Sequence, residues 1–224
     1  MRRSRASFRH DAGRAAGRKL ARDRRIEAAL VGADIQARLL AYLALLDKWN
    51  RTHNLTAIRE PERMITHHLL DSLAVLPHLP SRAGLRLIDI GSGGGLPGIP
   101  LAIVRPDWQL TLLDSNFKKA TFLRQAAIEL PLPNVEVVAA RVEEYAPAVR
   151  FDIAISRAFS DLAVFALTSG NLLAPEGRLV AMKGVYPHEE IAHLPAGIGV
   201  TSTPALKIPG VDGDRHLVIM ERAA

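Results

Sequence analysis

Apolar positions along the chain recur first at helical spacing and then in short alternating runs. Between residues 26 and 78, Ile35, Leu39, Leu40, Leu43 and Leu46 repeat at three and four residues, with Asp34 suited to an N-cap. Residues 47–56 are polar around Trp49 and predict a loop. Pro61, at an N1-like position, opens a further helix through Met64, Ile65, Leu69, Leu70, Leu73 and Leu76, which Pro77 and Pro80 end. Strand-like runs then alternate with helical ones: a strand at 87–90, a second ending at Asp114, and a helix carrying Phe117, Phe122, Leu123 and Ile128. Strands at 135–139 and 151–156, a helix at 162–173 and a strand at 177–183 follow. After a short helix near 188–194, the runs 200–206 and 216–221 flank a turn-rich separator, which predicts an antiparallel hairpin at the sheet edge. The expected fold class is α/β: a doubly wound Rossmann-like sheet with helices on both faces, an antiparallel C-terminal edge and an N-terminal helical cap.

The first strand stops in a glycine cluster, Gly91-Ser92-Gly93-Gly94-Gly95, where the chain can turn and a ligand can approach the main chain. Asp89, Gly91, Gly93 and Gly95 give D-x-G-x-G-x-G. The dinucleotide fingerprint G-x-G-x-x-G would instead need glycine where Leu96 stands. The spacing is the methyltransferase variant of such loops, with an ordinary strand-to-helix turn as the plain alternative. About 20 residues on, one βαβ unit away, the second strand ends in Asp114, placed to accept hydrogen bonds from a ribose diol. Its plainer role is to cap the helix starting near Asn116.

Composition limits the remaining choices. A chain of 224 residues suits one α/β domain with an extension. No apolar run reaches the length of a membrane span and no signal-peptide core is visible, so a cytoplasmic location without membrane contact is expected. The absence of cysteine excludes disulfides, Cys-ligated zinc and thiol catalysis. Residues 1–25 hold ten Lys and Arg against Asp11 and Asp23, a net of +8, which leaves −2 for the rest of a chain whose total is +6. The basic character therefore belongs to an arm too poor in apolar residues to fold alone. It reads as a solvated terminus, an RNA-contacting arm or a transit peptide. The expected organisation is this arm, a cap at 26–80 and a sheet domain at 84–224.

No metal site is expected. His67, His68 and Asp71 offer at most two ligands on one face, and His188-Glu-Glu-Ile-Ala-His193 puts its second His one residue too late for the zinc-protease pattern. In doubly wound folds ligands lie beyond the C-terminal strand ends. Those ends bring together Gly91, Asp114, Val142 with Glu143, Arg157 and Lys183. Val142 and Glu143 are placed to meet an adenine, and Arg157 and Lys183 to give a cationic wall.

The ordered set His53-Asn-Leu-Thr-Ala-Ile58, His68-Leu-Leu-Asp-Ser-Leu73, Asp89-Ile-Gly-Ser-Gly-Gly-Gly-Leu-Pro-Gly-Ile-Pro-Leu101, Leu113-Asp-Ser115, Phe122-Leu-Arg-Gln125, Arg141-Val-Glu-Glu144, Ile155-Ser-Arg-Ala-Phe159, Met182-Lys-Gly184 and Arg215-His-Leu217 resembles the glucose-inhibited division protein B family, the bacterial 16S rRNA guanine-N7 methyltransferases. The likeness runs from about Leu43 to the C-terminus and leaves out the Arg-rich arm. It implies a class I methyltransferase sheet and methyl transfer from S-adenosylmethionine to a guanine N7 in the decoding-site loop of small-subunit rRNA. The partner would be 16S rRNA or the small ribosomal subunit, and the enzyme a monomer. Carried over by motif, Gly91, Leu96, Val142, Glu143 and Arg157 are the implied cofactor positions. They join Ser92, Gly93, Gly95 and Asp114 from the loop reading.

Guanine N7 bears no proton, so no general base is expected among the catalytic residues. Lys118, Arg124, Arg157, Lys183 and Arg215 are the RNA-contact candidates. The competing readings are another S-adenosylmethionine-dependent RNA methyltransferase, a nucleotide-dependent oxidoreductase, which Leu96 disfavours, and a non-catalytic RNA-binding module with a relic crevice.

Overall fold

The computed structural model describes residues 32–157, 159 and 161–223; the basic arm and the beginning of the expected first helix lie outside them. Helix α1 (Ala33–His53) is followed by α2 (Pro61–Met64), a π-helical stretch (Ile65–Leu70) and the closing turn α3 (Asp71–Leu73). Strands and helices then alternate: β1 (Arg86–Ile90), α4 (Gly98–Val104), β2 (Gln109–Leu113), α5 (Phe117–Glu129), β3 (Val135–Val138), β4 (Phe151–Ser156), α6 (Leu162–Ser169) and β5 (Leu173–Lys183). The short α7 (His188–Ala192) precedes β6 (Ile198–Ser202) and β7 (His216–Arg222). The sheet order is β3-β2-β1-β4-β5-β7-β6. Its first five strands are parallel, while β7 is antiparallel to both β5 and β6, as the turn-rich separator at 209–214 predicts.

Strand periodicity sorts the core onto two faces. Leu87, Leu110, Leu112, Ile153 and Ile155 pack on one face with the cap residues Leu39, Leu43, Met64 and Leu69 and with Phe122 and Leu123 of α5. Ile88, Ile90, Leu113 and Ala154 face the other way, onto Leu162 and Phe165 of α6. Cap and sheet thus share one apolar cluster.

Three details depart from the sequence pattern. Gly32 occupies the N-cap of α1, and Asp34 lies in the first turn, where its charge favours the helix N-terminus. The polar stretch expected as a loop continues α1 to His53, with Asn54 as a left-handed C-cap (φ 49°). Asp47 and Arg51 pair at i,i+4 on the outer side, whereas Trp49 stacks on His53 and packs against Phe122. Phe117 and Ile128, counted among the apolar helix positions, stand 70% and 72% exposed on the outer face of α5.

Candidate functional site

The parallel strand ends carry the glycine loop. Register pairs Ile90 with Leu113 and Leu113 with Val138, so the residues that follow β1, β2 and β3 emerge on the same edge. The N–H groups of Gly91 and Ser92 donate to the Leu113 carbonyl (2.9 and 3.0 Å), which seats the loop on the end of β2. Gly91 and Gly93 have φ of +71° and +60°. Among the described residues a Cβ at Gly91 would meet nothing within 4 Å, and one at Gly93 only the Gly91 carbonyl at 3.8 Å. These two positions present bare main chain to open space. Gly98, by contrast, is fixed by close approach, since a Cβ there would lie 2.8 Å from Asp89 Oδ2.

Two carboxylates hold the loop from below. Asp114, almost fully buried, accepts the Gly93 N–H at Oδ2 (2.8 Å) and the Asn116 N–H at Oδ1 (2.8 Å). Helix α5 is capped by Asn116, whose side chain accepts from Lys118 N and Lys119 N, so the plain capping role proposed for Asp114 falls to its neighbour. Asp89 is buried in β1 and accepts the Ser92 hydroxyl (2.7 Å) and the Gly98 N–H (2.9 Å) at Oδ2. Among the described residues its Oδ1 has no hydrogen-bond partner. Burial pushes this carboxyl up to about 6, against the pull of Ser92 and Gly98. Ser92, expected on the cofactor, has its hydroxyl committed to Asp89 of β1 and its N–H to the Leu113 carbonyl of β2. Leu96 is buried in the core cluster beside it.

Two contacts that sequence reasoning missed tie the loop to the rest of the molecule. The buried Tyr42 hydroxyl of α1 donates to the Gly94 carbonyl (2.5 Å), and burial raises its pKa far above the usual phenol range. Ser156 Oγ, at the end of β4, donates to the Ile90 carbonyl (2.8 Å). Its spacing of three from Leu39 is the one signal that could have placed Tyr42 on the inner face; nothing in the sequence points to its partner.

The expected cationic wall is largely neutralised. Arg157 Nη1 donates to the His67 carbonyl (3.2 Å) and lies 3.6 Å from Asp71 Oδ2, while Arg215 Nε donates to Asp71 Oδ1 (3.2 Å). One buried carboxylate of α3 therefore holds the arginine that follows β4 and the one that precedes β7, both on the same edge of the sheet; burial pushes it up while both guanidiniums pull it down. Lys183 donates to Glu190 (2.7 Å) and to the Phe159 carbonyl (3.2 Å). Glu143, Lys118 and Arg124 are exposed, and Val142 is buried against the second core cluster.

His68 is explained by hydrogen bonding. Its Nδ1 faces the His67 carbonyl (3.1 Å), which can only accept, so Nδ1 carries the proton and Nε2 accepts the Thr56 hydroxyl (3.0 Å). Burial and the Arg157 charge hold it down to about 4, so it is neutral near pH 7. Among the described residues no group of three His, Asp or Glu is placed to hold a metal ion. Nor is any helix among them long and apolar enough to cross a membrane. A cavity of about 670 Å³ between α1 and the end of α5 lies away from the strand ends. Arg38 at its wall donates to the Leu130 and Pro131 carbonyls.

Solved structures share this architecture. A S-adenosylmethionine-dependent methyltransferase from Aquifex aeolicus superposes with a TM-score of 0.58 at 18% identity, over 76% of this chain and 97% of that one. The glycopeptide N-methyltransferase MtfA, solved with S-adenosylmethionine, gives 0.56 at 13% identity, over 70% and 96%. Sheet order and these superpositions define the Rossmann-like fold shared by class I methyltransferases.

Residues 35–218 match the family model of rRNA small subunit methyltransferase G. The ribosomal RNA small subunit methyltransferase G of Chromobacterium violaceum is 59% identical over 182 residues, 81% of this chain and 86% of that relative. Its counterpart from Nitrosospira multiformis is 57% identical over 195 residues, 84% and 89% respectively. The chain belongs to the rRNA small subunit methyltransferase G family. The residues present fit the cofactor of such an enzyme, because Gly91 and Gly93 leave uncovered main chain where a nucleoside must approach closely.

Proposed function

We propose that the chain methylates N7 of a guanine in the decoding-site loop of 16S rRNA, as free RNA or within the small subunit. The observation that carries the reading is the uncovered Gly91–Gly93 main chain, braced by Asp114, in a chain of this family. Gly91, Gly93 and Gly95 shape the loop that receives the cofactor, and Ser92 braces that loop through Asp89. Asp114, with lone pairs left beside its two backbone bonds, accepts from the ribose. Val142 and Glu143 border the adenine, Leu96 supplies an apolar contact, and Arg157 closes the far side.

When bound, S-adenosylmethionine supplies a methyl carbon already activated on a sulfonium. Guanine N7 offers a lone pair and no proton, so the chain's own task is to align the base and exclude water. Alignment of this kind is worth about 7 to 11 kcal/mol when reacting atoms are held near attack distance. The purine gains positive charge as the bond forms, so a cation beside N7 would oppose the step. Arg157, Lys183 and Arg215 accordingly serve cofactor, phosphate or internal carboxylates, and Lys118 and Arg124 meet RNA. His68 is spent on Thr56, and the buried Asp89 oxygens lie below the loop, so neither acts as a base.

The test is a single-turnover pH profile with both substrates saturating, from about pH 6 to 9, where a His-type base would titrate. A flat profile is expected. A full-amplitude rise with one pKa, abolished by replacing one side chain, would contradict the alignment mechanism.

A further inference from the structure

The outer face of α5 carries a side chain that neither the core nor the cofactor crevice uses. Phe117 stands 70% exposed, while the same helix buries Ala120, Phe122, Leu123 and Ala126. Phe117, Thr121, Arg124 and Ile128 follow one another at intervals of four, three and four residues and so form one outward stripe. The Arg124 guanidinium lies over the Phe117 ring, 6.0 Å from its centroid, and the exposed Lys118 stands beside it. Along α5, Lys118, Lys119 and Arg124 outnumber the single acid Glu129.

The position matters as much as the composition. Phe117 is the first residue of α5, directly after the Asn116 cap and three residues beyond Asp114, which holds Gly93. The ring therefore stands at the rim of the methyl-transfer crevice. An exposed aromatic among cations is the arrangement by which proteins hold unpaired nucleic acid. Any base can stack on the ring, and the cations meet the flanking phosphates. The core of a protein-binding patch, by contrast, is depleted in lysine.

We propose that Phe117 is a stacking platform for an unpaired base of the rRNA next to the target guanine, with Lys118 and Arg124 on the adjoining phosphates. The proposal rests on the reading of the crevice as an rRNA methyl-transfer site and adds a residue to its RNA-binding surface. Because the ring packs on nothing in the core, replacing it leaves the fold intact.

The test uses the full chain, with protein-free small-subunit rRNA and small subunits as parallel substrates and tritiated S-adenosylmethionine as donor. Phe117→Ala is expected to raise the KM for RNA about five- to hundredfold, the range of a lost base–aromatic stack. The rate at saturating RNA, the S-adenosylmethionine affinity and the thermal midpoint should stay at wild-type values. Phe117→Trp should restore RNA binding, and Phe117→Leu should behave like alanine. An unchanged KM in Phe117→Ala, or leucine restoring binding as well as tryptophan, would overturn the proposal. A loss of S-adenosylmethionine affinity would show instead that the ring faces the cofactor. If the wild-type chain methylates neither substrate, the reading of the crevice fails, a result distinct from these.

Discussion

Gly93 meets two demands that only glycine satisfies together: a φ of +60° and an uncovered face toward the crevice. Gly93→Val is expected to abolish S-adenosylmethionine binding in calorimetric titration while the chain still folds. Wild-type affinity in that variant would remove the loop from the site. Asp89 lends itself to a different measurement. Its carboxyl is raised by burial to about 6, whereas an unfolded chain titrates it near 3.9. Between those values the folded state binds more protons than the unfolded one. Stability tied to the protonated form is therefore complete below about pH 3.9 and lost as pH rises through about 6. Asp89→Asn keeps an acceptor for Ser92 and Gly98 but cannot ionise. Relative to that variant, wild type should lose about 2 to 3 kcal/mol of unfolding free energy between pH 4 and 7, read by urea unfolding. Parallel pH curves would show that Asp89 does not titrate in this window.

Among the elements, the cap braces the edge where the parallel strands end. Tyr42 of α1 reaches the Gly94 carbonyl, and Asp71 of α3 holds Arg157 and Arg215. Tyr42→Phe leaves that buried carbonyl without its donor and should cost about 1 to 3 kcal/mol of stability. A severalfold loss of S-adenosylmethionine affinity should accompany it; unchanged affinity in the titration would mean that the loop holds its shape without α1. The strand succession, the edge hairpin and the D-x-G-x-G-x-G loop were legible in the sequence, because period-two alternation and glycine spacing are local signals. The continuation of α1 to His53 was not, since Asp47, Lys48, Arg51 and Thr52 look loop-like until Trp49 and Asn50 are seen on the inner face. Periodicity likewise could not separate Phe117 and Ile128 from the true core residues of α5, because it registers apolar positions without knowing what covers them. The partners of Arg157 and Tyr42 come from distant segments, and no local pattern encodes them.

For the molecule as a whole, positive charge is unevenly placed along the chain. The described residues build one core from cap and sheet, whereas the net +8 lies in residues 1–25, outside them. Deleting residues 1–25 should leave S-adenosylmethionine affinity unchanged and make the salt dependence of RNA binding shallower, as fewer phosphates are neutralised. An identical salt slope would assign the arm no phosphate contact. Transfer of a methyl group to guanine N7 of small-subunit rRNA by this crevice can be read from a map of the product. Small-subunit rRNA is treated with the protein and S-adenosylmethionine, then cleaved at N7-methylguanine. The expected result is one new cleavage, at a guanine of the decoding-site loop, absent when Gly93→Val replaces the wild-type chain. Label incorporated without N7-specific cleavage, or cleavage that persists with Gly93→Val, would contradict it.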